Sequence, residues 1–106
     1  MRLCRKKGMI NKITSKELIN KLSKIQLIDI REPYEYKEGH IKNSINIPMG
    51  DFLEKLDELS RTKQIVIYCN TGRRSKPVVY MTHKLHGYSL YNLEGGYKNF
   101  LKTPAK

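Results

Sequence analysis

Apolar residues along this chain fall into short runs that are separated by polar stretches. Residues 26–30 and 64–69 are almost wholly apolar, which predicts two strands buried on both faces of a sheet. Residues 88–93 form a third run of this kind. Shorter runs at 9–13 and 45–47 predict two further strands, the first of them at an edge. The pattern therefore predicts five strands.

Between these runs, apolar residues recur three and four positions apart, which is the spacing of one helix face. Thr14 and Glu17 form a capping-box pattern at the start of the first helix. Asp51 is expected to cap the second helix, and Gly87 to end the third. The apolar positions of the four predicted helices lie within residues 18–22, 52–59, 76–85 and 97–100.

Residues 31–50 are polar and interrupted by prolines and glycines, so we expect a long loop there, apart from the short strand. Elsewhere strands alternate with helices, which predicts an α/β fold with a mostly parallel five-stranded sheet and helices on both faces. Sheets of this kind bind ligands at the carboxyl ends of their strands. Cys69 is at one of those ends.

The chain of 106 residues is long enough for one compact domain and short for two. We expect a single domain at residues 9–102, between a basic tail at 1–8 and a short C-terminal tail at 103–106.

The net charge is +11, from 21 Lys and Arg against 10 Asp and Glu. A charge of this size attracts anions in general. The basic residues form neither a dense block nor a platform interleaved with aromatic residues. We therefore expect a solvated basic surface and no nucleic-acid partner.

The two cysteines, Cys4 and Cys69, are far apart, whereas small disulfide-stapled domains usually carry four or more. A reducing cytoplasm fits this count best. We expect neither a signal peptide nor a membrane span, because no apolar stretch is long enough for either. Cys4 is assigned no role, with a resolving thiol for Cys69 as the alternative.

The segment after the strand at 64–69 has the features of an anion-binding loop. It lies between a strand and a helix, so its backbone amides and the helix dipole favour negative charge. Gly72 permits a tight turn, and the nearby Arg73 and Arg74 are expected to lower the pKa of the Cys69 thiol. Cys69 is the candidate nucleophile. The candidate substrate-binding residues are Asn70, Thr71, Gly72, Arg73, Arg74 and Ser75.

Two chemistries use a cysteine in such a loop, and the distance to the arginine separates them. Protein tyrosine phosphatases have five residues between cysteine and arginine, so that the loop surrounds a phosphate. Here four residues separate Cys69 from Arg74, and Ser75 stands at the phosphatase arginine position. The shorter loop favours a persulfide sulfur over a phosphoryl group.

The pattern Cys-x-x-Gly-x-Arg-Ser at residues 69–75 resembles the active-site loop of rhodanese-like domains. The resemblance extends to LIDIRE at 27–32, GHIKNSINIP at 39–48 and LEGGYKNF at 93–100, and so covers roughly residues 10–102. Asn43 and Ser44 depart from it, because the family commonly has Gly and Ala there. We expect little consequence from this departure.

The resemblance implies a sulfurtransferase that needs no metal or organic cofactor. Cys69 would take a sulfane sulfur from thiosulfate or a persulfide, carry it as a persulfide, and pass it to a thiol acceptor or a sulfur-relay protein. Arg73 and Arg74 would recognise the donor, and which of them faces it stays open. A non-catalytic binding module of the same fold is the alternative, although such modules typically lack the cysteine.

The resemblance also puts Asp29 and Arg31 beneath the loop, where we expect a supporting ion pair and not a catalytic one. Glu35 is expected to pair with Arg31, His40 to hold the long loop by a hydrogen bond, and Glu94 to cap the last helix. The two other histidines, His83 and His86, have a spacing that metals use but no third ligand nearby, so no metal site is expected.

Overall fold

The computed structural model describes residues 11–104, which form one five-stranded sheet with helices on both faces. All pairings are parallel, and the strand order is β1-β5-β4-β2-β3. The predicted fold class is confirmed, and the sheet is wholly parallel. The strands are β1 Lys12–Ile13, β2 Ile25–Asp29, β3 Ile45–Asn46, β4 Gln64–Tyr68 and β5 Leu90–Leu93. The α-helices are α1 Ser15–Ile19, α2 Pro33–Glu38, α3 Ser75–His86 and α4 Gly96–Leu101.

The core lies in two layers, because β2 and β4 in the middle of the sheet are apolar on both faces. Ile65 and Ile67 of β4 point into one layer, and Val66 and Tyr68 point into the other. Val79 of α3 closes the first layer, whereas α1 and α4 cover the second. Because successive side chains of a strand point to opposite faces, a strand that is buried on both faces requires a continuous apolar run.

The predicted long loop at 31–50 is wrong in part, because Pro33–Glu38 forms α2. Pro33 is the first residue of this helix. A backbone N–H at that position has no partner within the helix, so the N–H that proline lacks costs no hydrogen bond. Glu32 and Glu35 occupy the capping-box positions: the Glu32 amide donates to the Glu35 side chain at 2.9 Å, and the Glu35 amide donates to the Glu32 carbonyl oxygen at 2.9 Å. The helix is six residues long and buries none of them, so it leaves no apolar pattern in the sequence.

The predicted cap at Asp51 is also wrong. Asp51 lies in a 3-10 turn, Met49–Asp51, and makes no capping bond. A second 3-10 segment, Leu53–Glu58, follows and is kinked at Lys55. Phe52, Leu56 and Leu59 still point into the core, as their spacing predicted. Leu53, which the same spacing included, is 54% exposed, because the segment is not α-helical.

Of the edge strand predicted at 9–13, the structure describes residues 11–13, of which Lys12–Ile13 forms β1. Residues 9 and 10 lie outside the described part of the chain, and so does Cys4. Within residues 11–104, no helix combines the length and the apolar character that crossing a bilayer requires.

The start of α4 is packed directly against the backbone that follows β4. The amide of Tyr97 donates to the carbonyl oxygen of Cys69 at 2.8 Å, and the amide of Lys98 donates to that of Asn70 at 2.9 Å. Gly96 makes this approach possible: a Cβ there would lie 2.5 Å from the Cys69 oxygen. The predicted cap at Glu94 is wrong, because Gly95 occupies the N-cap position without a side-chain bond.

Gly96→Ala should destabilise the domain more than Gly87→Ala. Both glycines have positive φ, of 63° and 75°, so each substitution carries the strain of a left-handed conformation, roughly 1–2 kcal/mol. Only at Gly96 does the new methyl group also meet backbone atoms, whereas nothing lies within 4 Å at Gly87. Urea unfolding measures both variants, and equal losses of stability would contradict the proposed close contact.

Candidate active site

Cys69 directly follows β4 and begins a loop that leads into α3. The cysteine is 1% exposed, and three groups of the loop surround its sulfur. The Gly72 amide donates to Sγ at 3.2 Å, the Ser75 amide lies at 3.4 Å, and the Ser75 hydroxyl lies at 3.4 Å. Gly72 has a φ of 90°, a conformation that favours glycine. The loop thus turns its amides toward the sulfur.

These contacts favour the ionised form of the sulfur. Burial by itself raises the pKa of the Cys69 thiol. The hydroxyl and amide of Ser75 and the amides of Thr71 and Arg74 lower this pKa by more than burial raises it, so that it is below its ordinary value. The expected direction is therefore correct. Its main source is the hydrogen-bond donors of the loop and not the two arginine side chains.

Asn92 on β5 supports the same loop and was not found from the sequence. Its side-chain oxygen accepts a short hydrogen bond from the Ser75 hydroxyl, and its Nδ2 lies 3.4 Å from the carbonyl oxygen of Gly72. Asn92 is 4% exposed and is a polar residue within a buried strand. That polar interruption of an apolar run was the signal that the sequence offered.

Asp29 and Arg31 form a buried ion pair beneath the loop. The Arg31 guanidinium donates from Nη2 to Asp29 Oδ2 at 2.6 Å and from Nε to Oδ1 at 2.9 Å, and the two side chains are 4% and 0% exposed. The remaining donors reach Asn70 Oδ1 at 3.1 Å and the carbonyl oxygen of Gly39 at 2.7 Å. The guanidinium also lies 4.5 Å from the ring centre of Tyr97, within cation–π distance.

The predicted pairing of Glu35 with Arg31 is wrong. Glu35 lies against Arg74, with Nη2 of the arginine 3.3 Å from Oε2 and Nη1 3.4 Å from Oε1. Asn70 Nδ2 donates to the same Oε2 at 3.1 Å. Asn70 therefore connects Arg31 on one side with Glu35 on the other.

The two loop arginines differ in their surroundings. Arg74 is half-buried against Glu35, whereas Arg73 is exposed, as is Thr71. Of the two loop guanidinium groups, that of Arg74 is therefore the one held in an ion pair. Seven of the predicted site residues, 69–75, form the loop itself, and Asp29 and Arg31 lie beneath it.

The segment after α2 is held by Tyr68 and His40. The Tyr68 hydroxyl accepts from the Ile41 amide at 3.0 Å and lies 3.1 Å from the Ser44 hydroxyl. His40 Nδ1 is 2.8 Å from the Tyr36 carbonyl oxygen, the hydrogen bond that was expected of this histidine. Asn43 has a φ of 72°, and asparagine is the residue that best replaces glycine in this conformation, so the departure from the family pattern is accommodated.

Within residues 11–104, no group of three His, Cys, Asp or Glu side chains has the arrangement of a metal site. Cys69 is a free cysteine. The amides of Gly72 and Ser75 donate toward its sulfur, an arrangement that suits a small anion bound to the sulfur atom.

Arg31→Met should lower the free energy of unfolding by about 3–5 kcal/mol, the usual cost of leaving one partner of a buried ion pair alone. The double variant Asp29→Asn with Arg31→Met removes both charges, and it should recover much of the loss. Urea unfolding of the three proteins measures this. A double variant as unstable as the single one would show that packing of the arginine, and not charge, is decisive.

Comparison with known proteins identifies the family. A model of the rhodanese-like domain matches residues 14–103. The chain is 39% identical over 82 residues to a putative sulfurtransferase of Bacillus subtilis, covering 76% of this chain and 78% of that protein. It is 34% identical over 92 residues to a sulfurtransferase of Allochromatium vinosum, covering 83% and 85%.

Longer proteins also match. A tRNA uridine(34) hydroxylase of Hamiltonella defensa is 38% identical over 87 residues, which cover 74% of this chain but 24% of that protein. The crystal structure of a rhodanese-related protein from Thermoplasma volcanium superimposes with a TM-score of 0.80 at 33% identity, covering 87% of this chain and 91% of that one. The resemblance seen in the sequence is confirmed, and the chain belongs to the rhodanese-like domain family.

Proposed function

We propose that this protein is a sulfurtransferase that moves a sulfane sulfur from a persulfide or thiosulfate donor to a thiol acceptor through a persulfide on Cys69. The observation that carries the proposal is the convergence of the Gly72 amide, the Ser75 amide and the Ser75 hydroxyl on Sγ. Relatives named as sulfurtransferases, aligned over most of their length, support the same class of reaction.

The reaction has two displacement steps. The Cys69 thiolate attacks the outer sulfur of the donor, a new S–S bond forms, and the S–S bond of the donor breaks. The electron pair leaves with sulfite or with a thiolate. An acceptor thiolate then attacks the outer sulfur of the Cys69 persulfide and restores the Cys69 thiolate, so no external oxidant or reductant is needed.

The loop has a role in both steps, because each starts or ends with a negative charge on sulfur. Its amides stabilise the thiolate before the first step and the persulfide anion after it. In this proposal residues 70–75 bind the donor around the sulfur, while Asp29 and Arg31 support the loop from below. Arg31 reaches the loop through Asn70, at 3.1 Å, and does not contact the sulfur.

Incubation with a donor should add one sulfur to Cys69. The wild-type protein is treated with thiosulfate or glutathione persulfide, freed of excess donor, and its intact mass is recorded without reductant. A gain of about 32 Da, the mass of one sulfur, is expected, and it should disappear when a thiol acceptor is added.

The measurement is repeated in a Cys4→Ser background, and its control is Cys69→Ser in that background, so that Cys69 is the one thiol compared. The variant should gain no sulfur. If the wild-type protein also gains none from any donor, including a cysteine desulfurase persulfide, the proposed transfer is wrong and a binding module of this fold is favoured.

Ser75→Ala should raise the pKa of the Cys69 thiol, because it removes the hydroxyl that lies 3.4 Å from Sγ and lowers this pKa by turning its proton from Asn92 to the thiolate. Only the thiolate is alkylated, so the pH profile of iodoacetamide reaction should shift to higher pH. At neutral pH the rate should fall roughly two- to tenfold, as expected for one hydrogen bond, and the rates should converge at high pH. Ser23→Ala, on the exposed surface, is the control, and an unshifted profile for Ser75→Ala contradicts the assigned contact.

A further inference from the structure

The charged side chains around the candidate site cancel one another. Arg31 is neutralised by Asp29 at 2.6 Å, and Arg74 by Glu35 at 3.3 Å. Arg73, the remaining cation of the loop, is exposed, so water and salt screen its charge. The inner side of the loop therefore offers hydrogen-bond donors to an anion but little net positive charge.

Glu35 is fixed in this position by three separate contacts. Its Oε1 accepts from the Glu32 amide at 2.9 Å in the capping box of α2, and its Oε2 accepts from Asn70 at 3.1 Å. Arg74 is the third contact. Burial raises the pKa of Glu35, but the Glu32 amide and Arg74 lower it by more, so the carboxylate is ionised at neutral pH.

The two donor classes differ in the charge that they bring to this site. Thiosulfate is a dianion and leaves as sulfite, also a dianion, so its reaction with the thiolate gathers three negative charges. A persulfide reacts as an electrophile in its protonated form, R–S–SH, whose two sulfur atoms carry no charge. At the reacting sulfur atoms its reaction therefore gathers only the charge of the thiolate. A carboxylate beside the loop raises the energy of the first reaction far more than that of the second, because Coulomb repulsion scales with the product of charges.

We propose that Glu35 is a specificity-determining residue, which selects a persulfide over thiosulfate as the sulfur donor by neutralising Arg74. This inference rests on the proposed function. In the selected reaction the Cys69 thiolate attacks the outer sulfur of R–S–SH and the S–S bond of the donor breaks. The electron pair leaves with R–S⁻. The proton stays on the transferred sulfur during the displacement and is then lost to water, which gives the persulfide anion.

Glu35→Gln is the sharpest variant, because glutamine also completes a capping box and keeps α2 intact while the charge is removed. Rates of sulfur loading onto Cys69 are measured by intact mass with thiosulfate and with glutathione persulfide, in a Cys4→Ser background. Wild type should load faster from the persulfide. In Glu35→Gln the ratio of the persulfide rate to the thiosulfate rate should fall about tenfold, chiefly because thiosulfate loading accelerates.

Two further variants separate this effect from loss of structure. Glu32→Gln removes the same charge from the other half of the capping box, away from Arg74, and should leave the ratio as in wild type. Arg74→Gln leaves the carboxylate charged and should raise the ratio. If the contact between Glu35 and Arg74 is only structural, Glu35→Gln and Arg74→Gln should each lower the thiosulfate rate and the persulfide rate together.

The outcomes distinguish the two levels of the proposal. If no donor loads the wild-type protein, the proposed function itself fails. If wild type loads but the ratio is unchanged in Glu35→Gln, sulfur transfer stands and the specificity role of Glu35 is overturned. Within the persulfide class, a cysteine desulfurase supplied with L-cysteine is compared with glutathione persulfide, and the faster of the two identifies a protein or a small thiol as the source.

Discussion

The buried pairing of Asp29 with Arg31 is the interaction on which the candidate site depends. Two opposite charges removed from water must satisfy each other and their remaining hydrogen-bonding groups, or the fold loses stability. Arg31 does this by reaching the carbonyl of Gly39 and the side chain of Asn70, besides its carboxylate. One side chain at the end of β2 thus fixes the segment after α2 and the loop after β4 together.

The orientation of the loop amides follows from the contacts that the loop carbonyls make with the start of α4. The carbonyl oxygens of Cys69 and Asn70 are occupied by the first amides of α4, which can approach only because residue 96 is glycine. With these carbonyls held away from the sulfur, the amides of Gly72 and Ser75 face it. The activation of the cysteine therefore depends on backbone contacts between segments that are distant in the sequence.

The sequence predicted the elements whose stability comes from burial and missed those that depend on contacts across the fold. β4 and α3 have apolar runs of sufficient length, so their pattern was clear. The six-residue helix α2 buries nothing and was predicted as loop. Glu35 was predicted to pair with Arg31, four positions away, because a sequence shows how close two residues are along the chain but not which distant residues the fold brings together. The actual partner is Arg74, 39 positions away.

In the function that we propose, activation of the sulfur and choice of the donor are physically separate. The loop donors that lower the pKa of Cys69 are dipoles at hydrogen-bond distance, and dipoles act over short range on a charge located at the sulfur. Arginine charges act over longer range and would attract any anion, including a dianionic donor, but Glu35 and Asp29 cancel them. A site built from dipoles and neutralised arginines can therefore stabilise a thiolate without gaining affinity for sulfite or thiosulfate. The net charge of +11 concentrates anions around the whole protein, and it cannot make that distinction.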